Sequence, residues 1–344
     1  MMQDLDRRLL RRCYEEARAA RRPPARLGAP IEPTWSALLA REEETVSIAV
    51  QLPGDAEDAV RAIQKKAVGA DGCTLYLTLE PSSTYQRLAP VTESIRALGV
   101  RRVVVGSENP VLRVRGRGIA VLRQFGVEVV LADGEEGRLC QVFYEDFAKA
   151  VNRSLPMLRL LLSLDVEQAR AAPGGAGGTD AATYDALLVH GREALAVRPR
   201  GDAWLVVLDP DLEFHSLSQL PVRNAIVFQP EGQDVVRDGF FMVPRRDLFL
   251  DLALVLRRLR DLGFLSVVSP GGQALFRYAI GADLVDAALS VVQSREGAAL
   301  TLSKLAQLEV QGEGWESRVR LLSPRLVRAM DDDLMVESEI RLQN

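Results

Sequence analysis

The stretch Thr74–Val91, TLYLTLEPSSTYQRLAPV, decides the fold. Thr74 to Leu79 is a run of β-formers in which Leu75, Tyr76 and Leu77 alternate between two faces, so it reads as a strand. Glu80-Pro81 stops it, because proline has no N–H to give to a sheet ladder. A polar loop follows, and Ala89-Pro90-Val91 opens a helix that runs from Thr92 to Leu98 and ends at Gly99. The same alternation continues outward. Val103–Gly106 is the next strand, Ile119–Phe125 a helix and Val127–Leu131 another strand. Upstream, Leu5, Leu9, Leu10, Cys13, Tyr14 and Ala17 fall at helical spacing within Asp4–Arg21, and Pro23-Pro24 forbids continuation. Ser36–Leu39 and Val46–Leu52 read as a hairpin turning at Arg41–Glu44. After Pro53-Gly54, Asp55 is expected to cap a helix through Val60 and Ile63 to Ala67. Strands alternating with helices predict an α/β architecture with a largely parallel sheet.

A chain of 344 residues is long for one core, and two domains are expected, residues 1–150 and 155–344. The apolar content of 47% supplies material for both cores. No apolar run reaches the roughly 20 residues that cross a bilayer, and the N-terminus alternates Arg and Glu where a signal peptide would be apolar. The expectation is a cytoplasmic protein without a membrane partner. A net charge of −4 argues against nucleic acid as a partner, and Arg113, Arg115 and Arg117 read as a solvated face. Cys13, Cys73 and Cys140 are too scattered for a disulfide framework or a zinc knuckle, so buried free thiols are expected.

The second half repeats the alternation. Phe143–Ser154 is a connecting helix and Leu155–Asp165 a strand, after which the glycine run Pro173–Gly178 reads as a flexible splice. Tyr184–Val189, Ala203–Asp209 and Ala225–Phe228 are strands, and Phe249–Leu262 is an amphipathic helix ended by Gly263. Leu265–Ser269 leads through Pro270-Gly271-Gly272 into a helix from Gln273 to Ile280. Ala287–Val292, Leu308–Val310, Trp315–Leu322 and Leu334–Leu342 supply the remaining strands.

This order, together with LYLTLEP, Arg87, LGVRRVVVG and Gly116-Arg117-Gly118 before GVEV, resembles the bifunctional riboflavin-biosynthesis deaminase-reductase family. The resemblance implies an N-terminal cytidine-deaminase-like three-layer α/β/α domain and a C-terminal dihydrofolate-reductase-like α/β domain. It also implies a homodimer through the second domain. In the family a His-Ala-Glu triplet, a Pro-Cys pair and a Pro-Pro-Cys nine residues later hold zinc and shuttle protons. Here the matching positions are Asp55-Ala56-Glu57, Pro81-Ser82 and Ala89-Pro90-Val91, and Glu32-Pro33 stands where active relatives have Asn-Pro. In the reductase half the strand Lys is absent. His190-Gly191-Arg192-Glu193 replaces the cofactor turn, and Val197 and Arg198 replace two acidic substrate positions. Gly271 and Gly272 match a turn that holds cofactor phosphates, with Pro270 in place of its Glu.

A catalytic zinc needs three protein ligands and leaves a fourth position for water. Asp55 can ligate, Ser82 is a poor ligand and Val91 is none, so no zinc is expected and Glu57 has no activated water to serve. Glu57 is then a carboxylate at the positive end of a helix. His190 is a vestigial acid-base candidate beside its plainer reading as a strand-end residue. Two functions stand. The first is a pseudoenzyme that has lost zinc-dependent deaminase and reductase activity, needs no cofactor, and binds a ligand or an unidentified protein partner. The second is an NAD(P)H-dependent reductase of a pyrimidine or related small molecule, with NADPH held at Gly271-Gly272.

Overall fold

Alternation along a strand sends neighbouring side chains into different layers, and the first strand of the hairpin does this along its length. The computed structural model describes residues 2–66, 69–85, 87–163, 184–199, 201–232, 237–246, 249–270, 273–293, 319–330 and 333–342. Its contacts divide the chain into two units, Met1–Arg21 with Gly28–Ser154, and Arg22–Leu27 with Leu155–Asn344.

The first unit contains α1 (Asp4–Ala20), β1 (Trp35–Arg41), β2 (Glu44–Gln51), α2 (Ala59–Lys66), β3 (Cys73–Leu77), α3 (Val91–Leu98) and β4 (Arg102–Val105). It closes with α4 (Arg117–Gln124), β5 (Glu128–Leu131), α5 (Gly134–Phe143) and α6 (Glu145–Arg153). The connecting helix expected over 143–154 is α6, and a helix not expected from the sequence, α5, precedes it; the two meet at Tyr144, whose buried hydroxyl donates to Thr78 Oγ1 at 2.7 Å. Among the described residues the sheet runs β2-β1-β3-β4-β5, with β1 antiparallel to both neighbours and β3, β4 and β5 parallel. Ala37, Leu39, Leu75 and Leu77 face the core under α2 and α3, where Val60, Ile63 and Ile95 are fully buried. Leu38, Ala40 and Tyr76 face the opposite core against Leu9, Leu10, Cys13 and Cys140 of α1 and α5. That division makes the unit a three-layer α/β/α sandwich.

The second unit contains β6 (Met157–Ser163), β7 (Ala186–His190), β8 (Trp204–Leu208), β9 (Ala225–Pro230), β10 (Phe240–Val243), β11 (Arg245–Arg246) and β12 (Phe249–Leu250). These are followed by α7 (Leu252–Asp261), β13 (Ser266–Ser269), α8 (Gln273–Gly281), β14 (Ala287–Gln293), β15 (Val319–Met330) and β16 (Asp333–Leu342). The order is β10-β9-β8-β7-β13-β6-β14-β16-β15, parallel from β10 to β14 and antiparallel across β14, β16 and β15. Phe249 does not start a helix as its spacing suggests. Asp251 sets the boundary, because its Oδ1 accepts the Leu254 N–H at 3.1 Å and caps α7. Leu188, Val206, Ile226 and Phe228 face α7, while Leu187, Val189, Leu205 and Val207 face the other way. Parallel strands covered on both faces read as near-continuous apolar runs, which is why LLV, LVV and AIV were legible as strands.

Candidate functional site

The loop between β3 and α3 is built around groups that bond backbone. Ser82 Oγ accepts the Val91 N–H at 3.2 Å and the Ser82 carbonyl accepts the Thr92 N–H at 3.1 Å. The nine-residue interval that placed Ser82 and Val91 together is therefore real in space. Ser82 supplies the open N-terminus of α3 with an acceptor that the N-cap, Pro90, has no side chain to provide. Val91 is buried in the core at 6% exposure, with no donor atom to offer a ligand.

Asp55 does not cap a helix. Its Oδ2 accepts the Leu52 N–H at 2.7 Å and closes the Pro53-Gly54 turn. The cap is Asp58, whose Oδ1 accepts the Arg61 N–H at 3.0 Å, and the helix starts three residues later than the spacing suggests. Asp58 is 1% exposed; its Oδ2 also accepts the Ser94 hydroxyl at 2.9 Å, which joins the start of α2 to α3. Glu57 consequently lies before the helix rather than in its first turn. It pairs with Lys65 at 2.7 Å, an exposed ion pair of small energetic consequence.

Over the same region Arg87 is bidentate to Glu32, with Nε to Oε1 and Nη2 to Oε2 both at 3.0 Å, and Glu32 Oε2 also accepts the Gly54 N–H at 2.9 Å. Burial by itself would push the Glu32 carboxyl up, but the Arg87 and Gly54 hydrogen bonds hold it below the usual carboxylate range. The Glu32 hydrogen bond in turn raises Arg87, and Asp55 adds a smaller attraction. One clamp thus ties the segment before β1, the Leu52–Asp55 turn and the loop before α3. In the sequence Glu32 stands out only as a departure from Asn-Pro, and its pairing with Arg87 leaves no local signal because 55 residues separate them.

Glu80, by sequence only the end of a strand, organises a closely bonded part of the unit. It is 2% exposed and accepts four backbone N–H groups, from Asn109 at 2.8 Å, Gly116 at 2.9 Å, Gly118 at 2.8 Å and Ile119 at 3.2 Å. A carboxylate therefore fills the N-terminus of α4, where the helix dipole favours negative charge. Gly118 is required there, since a Cβ would collide with the Pro81 carbonyl oxygen.

The fold can be asked whether zinc fits this loop. Of the three matching positions, Asp55 Oδ2 and Ser82 Oγ each accept a backbone N–H and Val91 is apolar. Among the described residues no three His, Cys, Asp or Glu side chains converge as a metal site. The residues do not fit the metal.

In the second unit, His190 ends β7 at the carboxyl edge of the parallel strands, where ligands of open α/β sheets bind. Its Nε2 is buried with no hydrogen-bond partner among the described residues. The ring packs edge-on against Phe249 at 6.0 Å, and Phe249 stacks on Tyr278 at 5.3 Å. Beside it, Arg192 pairs with Glu213 at 2.6 Å, and Glu193 is exposed. Val197 is half-buried against the core behind β7 and Arg198 is exposed, so neither restores an acidic group at this edge. Just after β8, Asp209 is fully buried and accepts the Glu213 and Phe214 N–H groups and Gln229 Nε2, at 2.9, 3.0 and 2.8 Å. Strand β6 carries a buried cation, Arg159, which donates to Ser266 Oγ at 3.0 Å. Gly271, Gly272 and the glycine run of 173–178 lie outside the described residues.

Fold and site together define a two-unit α/β protein with a deaminase-like N-terminal unit and a reductase-like C-terminal unit. No family model matches the chain. The riboflavin biosynthesis protein RibD of Aquifex aeolicus is 29% identical over 204 residues, 58% of this chain and 56% of that protein, so the match spans little more than half of the relative's length. The RibD structure of Acinetobacter baumannii superposes with a TM-score of 0.68 at 19% identity, covering 98% of this chain and 99% of that one. A Thermotoga maritima structure, described as a diaminohydroxyphosphoribosylaminopyrimidine deaminase and 5-amino-6-(5-phosphoribosylamino)uracil reductase, superposes with a TM-score of 0.68 at 20% identity over 97% of this chain. The chain is similar in sequence to RibD proteins and shares the fold of their solved structures.

Proposed function

We propose that this chain is a riboflavin-pathway deaminase-reductase homologue whose N-terminal unit carries no zinc-dependent deaminase chemistry, and that it acts as a pseudoenzyme binding a ligand or a partner protein. One observation carries the reading: the matching ligand positions are engaged in structural work, Ser82 with the Val91 N–H and Asp55 with the Leu52 N–H. A ligand set would need those lone pairs free for a cation. Purified full-length protein grown with added zinc should contain far less than one zinc per chain, by elemental analysis, and should release no ammonia from the pyrimidine substrate named for the Thermotoga protein. Stoichiometric zinc that is lost in Asp55→Ala would overturn the reading.

A second reading, a reductase using NADPH in the C-terminal unit, is favoured by His190. A buried imidazole nitrogen without a partner costs about 1–3 kcal/mol, and a ligand group at the carboxyl edge of β7 would remove that cost. Against it stands Glu193, whose carboxylate at this edge repels a phosphate-bearing cofactor. Titration with NADPH, followed by nucleotide fluorescence and by melting temperature, separates the readings. The pseudoenzyme reading expects no saturable response up to millimolar cofactor. Saturation weakened about tenfold or more in His190→Ala would establish the reductase reading, an effect that size being typical of one lost buried hydrogen bond.

A further inference from the structure

A short proline-containing segment belongs, by its contacts, to a unit far from it in sequence. Residues Arg22–Leu27, RPPARL, follow α1 but are part of the second unit. Helix α1 ends at Arg21 in an extended backbone conformation, φ −59° and ψ 131°, close to polyproline II. Pro23-Pro24 hold the chain in that form, because proline fixes φ and disfavours helix in the residue before it. The Trp204 indole N–H donates to the Pro24 carbonyl at 2.8 Å. Trp204 also meets Phe264 edge-on at 5.9 Å, and Leu27 packs against the core that contains Phe264, Leu259 and Val267. An aromatic wall with an indole donor aimed at a proline carbonyl is the general chemistry by which proteins grip polyproline II segments.

We infer that Arg22–Leu27 is a proline-rich ligand of the second unit carried on the same chain, and that Trp204 and the seat of Leu27 form its docking groove. The segment is pre-extended, so little conformational entropy is lost when it docks. This gives the N-terminal part of the chain a task independent of zinc and of cofactor. It delivers the strap that covers Trp204 and fills the Leu27 seat.

Arg26 is exposed, and the bond after it is a trypsin site whose cleavage requires the strap to leave its groove. The deciding experiment is limited trypsin digestion of the full-length protein and of Trp204→Phe, with cleavage after Arg26 followed by mass spectrometry. Phenylalanine keeps an aromatic ring in the groove and removes the N–H donor together with the second ring of the indole. Cleavage after Arg26 should accelerate about fivefold in the variant, as expected for one lost hydrogen bond of ordinary strength. An unchanged rate would overturn the proposal. Should Trp204→Phe fail to fold, hydrogen exchange of the Trp204 indole N–H in the unmodified protein decides: protection supports a docked strap, and exchange at the free-indole rate overturns it. Neither readout depends on metal or NADPH, so this proposal and the functional reading can fail separately.

Discussion

Glu80→Leu is expected to abolish the stability of the N-terminal unit, with a loss of about 3–5 kcal/mol that exceeds the effect of changes at Asp55, Ser82 or Val91. The carboxylate accepts four backbone N–H groups from three places, the Ser107–Asn109 turn, Gly116 and the first turn of α4. Leucine has similar bulk but leaves four donors without an acceptor in a site that is 2% exposed. Each such donor costs about 1–3 kcal/mol when water cannot reach it, and local rearrangement recovers part of the sum. Glu80→Gln should fall between, near 2 kcal/mol, because one oxygen remains as an acceptor while the new NH2 faces donors. Urea unfolding followed by far-ultraviolet circular dichroism provides the measurement. A midpoint for Glu80→Leu within error of the unmodified protein would show that this network is dispensable. Ser82→Ala is the useful contrast, since it removes one partly buried hydrogen bond and should cost about 1 kcal/mol.

The comparison of Glu80 with Ser82 explains how much could be read from the chain. The strand-loop-helix spacing of Thr74–Val91 located both the sheet and the nine-residue contact, because apolar alternation and proline act locally. The residue types at Asp55, Ser82 and Val91 were equally local and spoke against the metal. The Glu80 network and the Glu32–Arg87 clamp were not legible, since hydrogen bonds between groups 29 to 55 residues apart leave no periodic trace. Helix boundaries misled for a related reason. Asp55 and Asp58 are both plausible caps, and only the turn closed on Leu52 decides that the first is used elsewhere. In the second unit the buried parallel strands were plain as apolar runs, whereas the orphaned nitrogen of His190 is a fact of packing with no signature in sequence. The strap was visible only as a helix stop, because Pro23-Pro24 announce where α1 ends and say nothing of what receives them.

Asp6 sets the second large effect and gives it a pH dependence. The residue is 2% exposed, and its carboxylate takes both Arg102 Nη1 and Nη2 at 2.8 Å and the Tyr76 hydroxyl at 2.9 Å, with the Gln3 N–H at 3.0 Å. Burial acting alone would raise its pKa, but the hydrogen bonds from Arg102, Gln3 and Tyr76 bring it down to about 2. The same contacts raise Arg102, while burial and the Asp6 bond raise Tyr76. A carboxyl depressed below its unfolded value of about 3.9 contributes stability that is complete above that pH and is lost as pH falls toward 2. For a shift of this size the contribution is about 2 kcal/mol at neutral pH. The unmodified protein should therefore lose stability steeply between about pH 4 and pH 2. Asp6→Asn should already be weaker at pH 7, by about 3 kcal/mol once the uncompensated Arg102 is included, and should show a flatter profile over the same interval. Stability against urea at stepped pH values tests this. Parallel acid profiles for the two proteins would mean that other carboxylates govern the acid transition and that Asp6 contributes packing alone.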